Sequence, residues 1–371
     1  MTSSTQRPYI LGPMTTRLQT TAPLNQHISQ ARSGVETRLP RPAAAITGLL
    51  LALACLTGCP ATQTLPDQAP IQELAEPGQN RAYLLYVPSI YTKERNWPLV
   101  VACHGTWPYD SAEAQMREWA KFAEYEGIIV AAPKLVSSKG DFPPPAVQQI
   151  EQQEEDERAI VSMVADIQRR YSVDQSKIFL TGWSAAAYPI LYTGIRHPDI
   201  FRAMFIRQGT FNEDFMPLAG AQISKWQQIK LTYGRNDFLR DQAVACAKWL
   251  RDNGAWVEEQ ELTGAHRRTD PKFAWDFFEK IIRERPWIQI NASRPHGGEP
   301  LAMSFRVETS PQLLKQKWLF GDGHESYAES PTHVYEKPGR YKVRVNVSLE
   351  GGKTYTRTKQ VNVVRVLGAP D

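Results

Sequence analysis

The stretch Lys177-Ile-Phe-Leu-Thr-Gly-Trp-Ser-Ala-Ala-Ala187 decides the fold. Ile178, Phe179 and Leu180 form a short apolar, β-prone run that leads into Gly182-Trp183-Ser184-Ala185-Ala186, and the small residues that follow open a helix. Strand, tight turn, serine and helix, in that order, is the context of a nucleophile elbow. The turn is sharp, so the residues two before and two after the serine must be small. Gly182 and Ala186 meet that demand, with alanine standing where glycine is usual in Gly-x-Ser-x-Gly. The hydroxyl is then held above the sheet edge, and the helix N-terminus behind it favours developing negative charge. Alone, a Gly-x-Ser-x-small match describes an ordinary turn as readily as a nucleophile, so the flanking text has to decide.

Outward from the elbow the text alternates strands and helices. Residues 82–87 read as a strand closed by Pro88. Residues 98–103 are a continuous apolar run, as in a strand buried on both faces of a parallel sheet, and they run into His104-Gly-Thr-Trp107. Helical spacing over 112–125 is followed by a buried strand at 128–132 that Pro133 stops. Residues 136–149, with Pro143-Pro-Pro145, read as a loop beside the site. The acidic run 151–157 reads as a solvated loop or first helical turn, with a metal site as the alternative, and 159–171 as an amphipathic helix. Beyond the elbow, 202–206, 229–233 and 256–262 are strands, and 241–253 and 271–283 are helices. The sum is an α/β fold with a mainly parallel sheet.

These elements resemble the α/β-hydrolase superfamily over residues 79–287, in particular secreted polyhydroxybutyrate-depolymerase-like and feruloyl-esterase-like esterases. The shared features are the compact domain, Tyr171-Ser-Val-Asp174 before the elbow strand, an acid at Asp237 and a histidine at His266. A serine hydroxyl needs a base within hydrogen-bond reach, and the base needs an orienting carboxylate. In this superfamily they follow in the order serine, acid, histidine. Asp237 ends Gly234-Arg-Asn-Asp237 after the strand 229–233, where the order demands an acid; its other reading is a cap for the next helix, and Asp241 is the reserve. Of the seven histidines, His27 lies in the leader, His104 and His197 precede the acid, and His296, His324 and His333 lie in or beside a later β segment. That leaves His266, in the loop before the last helix. The resemblance also implies oxyanion donors at the amide of Ala185 and at Thr106 or Trp107. Trp107, Trp183 and Tyr188 are candidates for an aromatic pocket or for plain core packing. Gln208-Gly209 after the next strand departs from the family pattern, as Ala186 does.

Near Pro286 the text changes to period-two strands separated by Gly and Pro turns, at 304–307, 317–320, 341–347 and 358–363. Trp318-Leu-Phe-Gly-Asp-Gly323, Pro331-Thr-His-Val-Tyr335 and Gly339-Arg-Tyr-Lys-Val343 together resemble a PKD (polycystic kidney disease) domain, a small immunoglobulin-like all-β sandwich. In that family these residues are structural, so His324 and His333 are expected to serve fold or surface rather than catalysis or metal binding.

At the other end, Arg38 and Arg41 precede an Ala- and Leu-rich run at 43–56 of signal-peptide length, ending Leu56-Thr-Gly-Cys59. This resembles the lipobox of bacterial lipoproteins, which implies lipidation of Cys59 and residence in the cell envelope, at the outer membrane or cell surface, or secretion. Residues 1–37 are polar and without periodicity, and Met14 is an alternative start. The domains expected are a leader over 1–58, a tether over 59–78, the hydrolase over 79–287 and the PKD domain over 288–371. The formal charge of +4 over 371 residues comes from five leader arginines against one acid, so the rest is formally neutral and carries no nucleic-acid footprint. Cys103 and Cys246 fit neither a zinc site nor a disulfide framework and are expected as buried thiols. The resemblances imply a membrane-tethered serine esterase acting on an ester substrate, including a polymer or polysaccharide ester, with no metal or organic cofactor and with a PKD module that binds protein or polysaccharide. A serine peptidase on the same fold and a non-catalytic surface-binding lipoprotein are the alternatives.

Overall fold

The computed structural model describes residues 69–139, 144–217, 223–295 and 300–364. In chain order these form β1 (Gln72–Ala75), β2 (Ala82–Tyr86), β3 (Trp97–Cys103), α1 (Ala112–Glu126), β4 (Ile129–Pro133), α2 (Ala146–Arg170) and β5 (Val173–Trp183). A single 3-10 turn, Ser184–Ala186, then leads into α3 (Ala187–Arg196), β6 (Ala203–Arg207), β7 (Gln228–Gly234), α4 (Arg240–Asp252), β8 (Trp256–Leu262) and α5 (Pro271–Glu284). Eight strands share one sheet in the order β1-β2-β4-β3-β5-β6-β7-β8. β2 runs antiparallel to both β1 and β4, and every later neighbouring pair is parallel. This strand order is that of the α/β-hydrolase fold.

Alternation along β3 shows why the run Pro98–Cys103 is wholly apolar. Leu99, Val101 and Cys103 point into a core shared with Met163 and Ile167 of α2, Ile190 of α3 and Leu250 of α4. Val100 and Ala102 point into the opposite core, with Trp119 of α1 and Phe278 of α5. Successive side chains leave a strand on opposite faces, so a sheet covered on both sides needs both sets apolar. Cys103 and Cys246 are free buried thiols, and burial pushes both thiols up. Helix ends are set locally: Ser111 caps α1 by accepting from the Ala114 amide at 3.2 Å, and Gly127 closes it with φ 70°.

Two expectations need correcting. The acidic run at 151–157 is neither loop nor first turn but the interior of α2, which begins at Ala146. The stretch expected to be tether up to residue 78 contains β1, which joins the sheet at its edge because its backbone pairs with β2 from Gln72 to Ala75. Cys59 and the rest of the leader lie outside the described residues. Among the described residues no helix is long and apolar enough to cross a membrane.

The last part of the chain is all-β: β9 (Trp287–Ser293), β10 (Ala302–Ser310), β11 (Leu313–Leu319), β12 (Glu325–Ser326), β13 (Thr332–Val334), β14 (Gly339–Leu349) and β15 (Thr354–Val363). They form two antiparallel sheets, β13-β10-β9 and β12-β11-β14-β15. Val343, Val345, Val347 and Leu349 all face one way along β14 and bury against Phe305 and Trp318. Tyr335 ties the sandwich by donating its hydroxyl to the Phe320 carbonyl at 3.2 Å. This is the sandwich that the Trp318, Gly-Asp-Gly and Tyr335 motifs imply.

Candidate active site

Ser184 has φ 59°, a left-handed backbone that non-glycine residues seldom adopt. The neighbours hold it there. A Cβ on Gly182 would lie 2.5 Å from the Cys103 carbonyl oxygen and 2.6 Å from the Ala186 Cβ, so only glycine fits at that point. Ala186 has an ordinary right-handed backbone, φ −58°, and its methyl group packs in the core, so alanine is accommodated where glycine is usual. A Cβ on Gly105 would lie 2.9 Å from the Trp183 carbonyl and 3.3 Å from the Ser184 Cβ, so the loop after β3 also presses against the elbow.

Ser184, His266 and Asp237 form one hydrogen-bonded row. His266 Nε2 lies 3.1 Å from Ser184 Oγ, and its Nδ1 lies 3.1 and 3.0 Å from the two carboxylate oxygens of Asp237. With Nδ1 facing a carboxylate, the ring carries its proton there and Nε2 is left to accept from the serine. Asp237 also accepts from the Leu239 amide at 2.8 Å, a turn bond ahead of α4, whose N-cap is Leu239 rather than Asp237, so the capping reading does not hold. Asp241, the reserve acid, has a fully exposed side chain paired with Arg240 at 3.6 Å and takes no part. The loop bearing His266 is fixed at both ends. The Asn236 amide donates to the Gly264 carbonyl at 2.9 Å, and the Arg267 amide donates to Gln208 Oε1 at 2.5 Å. The His266 ring is flanked by Trp183, stacked at 4.7 Å, and by Phe238 at 4.8 Å.

The expected oxyanion donors separate. Ala185 lies in the first turn of the 3-10 segment, where amides have no acceptor within the helix. The Thr106 amide has no hydrogen-bond partner among the described residues, whereas the Trp107 amide donates to the Ser138 carbonyl at 3.0 Å. Trp107 is therefore corrected: its amide is already used, and Thr106 keeps the vacant one. The Trp107 side chain is 57% exposed on that loop beside Tyr109 at 79%, while Tyr188 is buried against Phe215 as core.

A buried polar chain that sequence reasoning missed holds this loop. Arg207, fully buried at the end of β6, donates to Glu118, to the Thr269 carbonyl at 2.9 Å and to Gln115 Oε1 at 2.5 Å. Gln115 donates to Asp110 at 2.7 Å, and Asp110 accepts from the Gly105 amide at 2.8 Å. His104 is part of the same support. Its Nε2 accepts from the Leu135 amide at 3.0 Å and its Nδ1 faces the Gly105 carbonyl at 2.8 Å, and burial pushes its pKa down, so the ring is a neutral strut. In the β-sandwich, Asp322, His324 and His333 bring one ligand atom each within 4.8 Å. There His333 Nε2 bonds Asp322 at 2.6 Å and its ring stacks on Phe320 at 4.1 Å, so both residues serve the Gly-Asp-Gly turn.

Residues 283–364 match the family model of the PKD domain. A microbial collagenase of Vibrio alginolyticus is 37% identical over 76 residues, 20% of this chain and 9% of that protein, so the chain spans a small fraction of its relative. Among solved structures, the chain is similar to an S-formylglutathione hydrolase of Staphylococcus aureus, at 13% identity and a TM-score of 0.44 over 57% of this chain and 94% of that one. A CE1 ferulic acid esterase of Anaeromyces mucronatus matches at 16% identity and a TM-score of 0.46, over 57% and 88% of the two chains. An acetyl xylan esterase of Aspergillus awamori matches at 17% and 0.45, over 57% and 99%. The class that strand order and elbow define is an α/β-hydrolase-fold protein carrying a C-terminal PKD domain.

Proposed function

We propose that this protein is a serine esterase with a Ser184–His266–Asp237 triad. The observation that carries the reading is the unbroken hydrogen-bonded row from Ser184 Oγ through His266 to Asp237, with Ser184 on a left-handed elbow. Ser184 Oγ attacks the ester carbonyl carbon while His266 Nε2 takes its proton, and Asp237 stabilises the imidazolium through Nδ1–H. The carbonyl π electrons move to oxygen, which the amides of Ala185 and Thr106 receive; one such donor is worth about 10²–10³ in rate. Collapse expels the alcohol, which leaves with the proton from His266. Water, deprotonated by the same nitrogen, then attacks the acyl-serine, and the acid departs as the proton returns to Ser184. The exposed rings of Trp107, Tyr109 and Phe238 stand on the two loops flanking the serine, which favours esters with an apolar or aromatic group.

The test is hydrolysis of a 4-nitrophenyl ester by proteins purified in parallel, with fluorophosphonate labelling as a second readout. Ser184→Ala and His266→Ala each lower kcat by about 10⁶, and Asp237→Asn by about 10⁴. Equal rates for wild type and Ser184→Ala remove Ser184 from the mechanism and leave a non-catalytic binding protein.

The same reading places the enzyme on a membrane surface. It is supported by Leu56-Thr-Gly-Cys59 at the end of an apolar run, since several acyl chains on one cysteine give stable anchoring. Cys59→Ser moves the protein from the membrane to the soluble fraction; identical fractionation of the two forms as soluble protein sinks the anchor.

A further inference from the structure

At the end of the large sheet opposite Ser184, the starts of β6 and β7 face β9 and β15 across a cleft of about 320 Å³. β7 is 7 residues long, so at ~3.3 Å per residue the cleft lies about 20 Å from the serine. Its walls carry Arg196, Arg202, Arg357 and Lys359 beside the rings of Trp226 and Trp287, and a single acid, the exposed Asp199. Among the described residues none of these four cations is within ion-pair distance of a carboxylate. Neutral carbonyl oxygens hold them instead. Arg202 donates to Ser176, Ile281 and Arg285 at 2.8, 3.1 and 2.6 Å. Lys359 donates to Ile290 at 3.0 Å, and Arg196 to Pro217 at 2.7 Å.

Arg357 is the most exceptional. Its guanidinium lies 3.5 Å over the Trp226 ring and its Nε reaches the Ile288 carbonyl at 3.3 Å, but its Nη1 is buried without any partner. Burial pushes Arg357 down to about 9, with no carboxylate to offset it, and Arg202 down to about 10, where the charge of Asp174 offsets only part of the loss. A buried unsatisfied donor on a charged group is costly, and one on the wall of a cleft is open to an acceptor brought by a ligand. An arginine that lines a cleft and keeps an unused donor is matched by a carboxylate, which accepts charge-assisted N–H bonds. The half-buried Trp287 indole on the same wall suits the C–H face of a sugar ring. The cleft is at the small end of the ~300–1,000 Å³ range of ligand sites.

We infer that this cleft binds the carboxylate of a uronate-bearing oligosaccharide, with Arg357 as its anion donor, the Trp226 ring holding that guanidinium in place, and Trp287 as the indole beside the sugar. The site is separate from the serine and does not depend on the esterase reading. Calorimetric titration of the full chain with an oligogalacturonate tests it, with a neutral cello-oligosaccharide and inorganic phosphate as the other arms. The acidic sugar binds, more weakly as salt rises, while the neutral sugar and phosphate bind at least tenfold less tightly. Arg357→Gln lowers affinity for the acidic sugar at least tenfold, with a melting temperature unchanged or raised, because it removes an uncompensated buried charge. Trp226→Ala gives a second loss of affinity should the first variant fold poorly. Equal binding of wild type and both variants, or binding of phosphate or the neutral sugar as tightly as the uronate, overturns the assignment.

Discussion

Gln208, like Ser184, is a non-glycine residue with a left-handed backbone, at φ 50°. It sits just beyond β6, its amide bonded to the Thr232 carbonyl at 2.7 Å, and its side chain accepts from the amide of Arg267, next to His266. A strained residue that touches no reacting atom but holds the histidine loop is a positioning residue. Gln208→Ala is expected to lower kcat by about 10–100-fold with KM little changed, since a misplacement of about 1 Å in a reacting group costs on that order. Fluorophosphonate labelling slows in parallel while the melting temperature stays close to wild type; a lower melting temperature with unchanged labelling would show a merely structural role. Ser184, Asp237 and His266 were legible because superfamily chain order and strand ends restrict them. Gln208 registered only as a departure after the strand following the elbow. Its task arises where β6 meets a loop about sixty residues later, and no local pattern encodes that meeting. Arg207 was silent for the same reason: an arginine ending an apolar strand reads as solvated until Glu118 and Gln115 of α1 are brought to it.

At the scale of elements, hydrophobic periodicity located the buried strands and missed half of α2. Its buried face runs Gln149, Gln153, Asp156, Ile160, Met163 and Ile167, spaced by four, three, four, three and four. That is an unbroken helical stripe, but its first two turns are polar. They are polar because they cover a loop rather than the core. Asp156 accepts from the amides of Val136 and Ser137, both at 3.0 Å, and pairs with Arg81 at 2.7 Å. Gln153 donates to the Phe215 carbonyl at 2.8 Å. The supported loop then passes its Ser138 carbonyl to the Trp107 amide, so α2 reaches the candidate oxyanion loop through two steps of hydrogen bonding. An acidic run scored for apolar content resembles a solvated segment; here Gln153 and Asp156 are its buried members, and they hold the loops beside the site. β1 escaped for a similar reason, being four residues at an edge with alternating half-burial.

At the scale of the whole molecule, the two cores share no buried residue. The sandwich core runs from Ile288 to Val363, while the two faces of the large sheet draw on residues from Tyr83 to Ile281. The last helix is closed before the sandwich begins, with the Arg285 amide bonded back to the Ile281 carbonyl and the Arg285 carbonyl taken by Arg202. Across the junction the Arg357 guanidinium lies 3.5 Å over the Trp226 ring, on the wall of the cleft. A boundary that carries charge and aromatic stacking rather than a shared apolar core favours modules that fold separately. A chain ending at Arg285 is therefore expected to fold and, on the proposed function, to hydrolyse a small soluble 4-nitrophenyl ester with kcat/KM within about twofold of the full chain, because Ser184, Asp237, His266 and the amides of Ala185 and Thr106 all lie before that point. The same shortened chain loses the uronate affinity, since it retains Arg202 and Trp226 but lacks Arg357 and Lys359. Measuring both quantities on one preparation separates the ideas. Retained turnover with lost binding supports modular chemistry and a junction site; failure of the shortened chain to melt cooperatively shows instead that the sandwich completes the hydrolase fold.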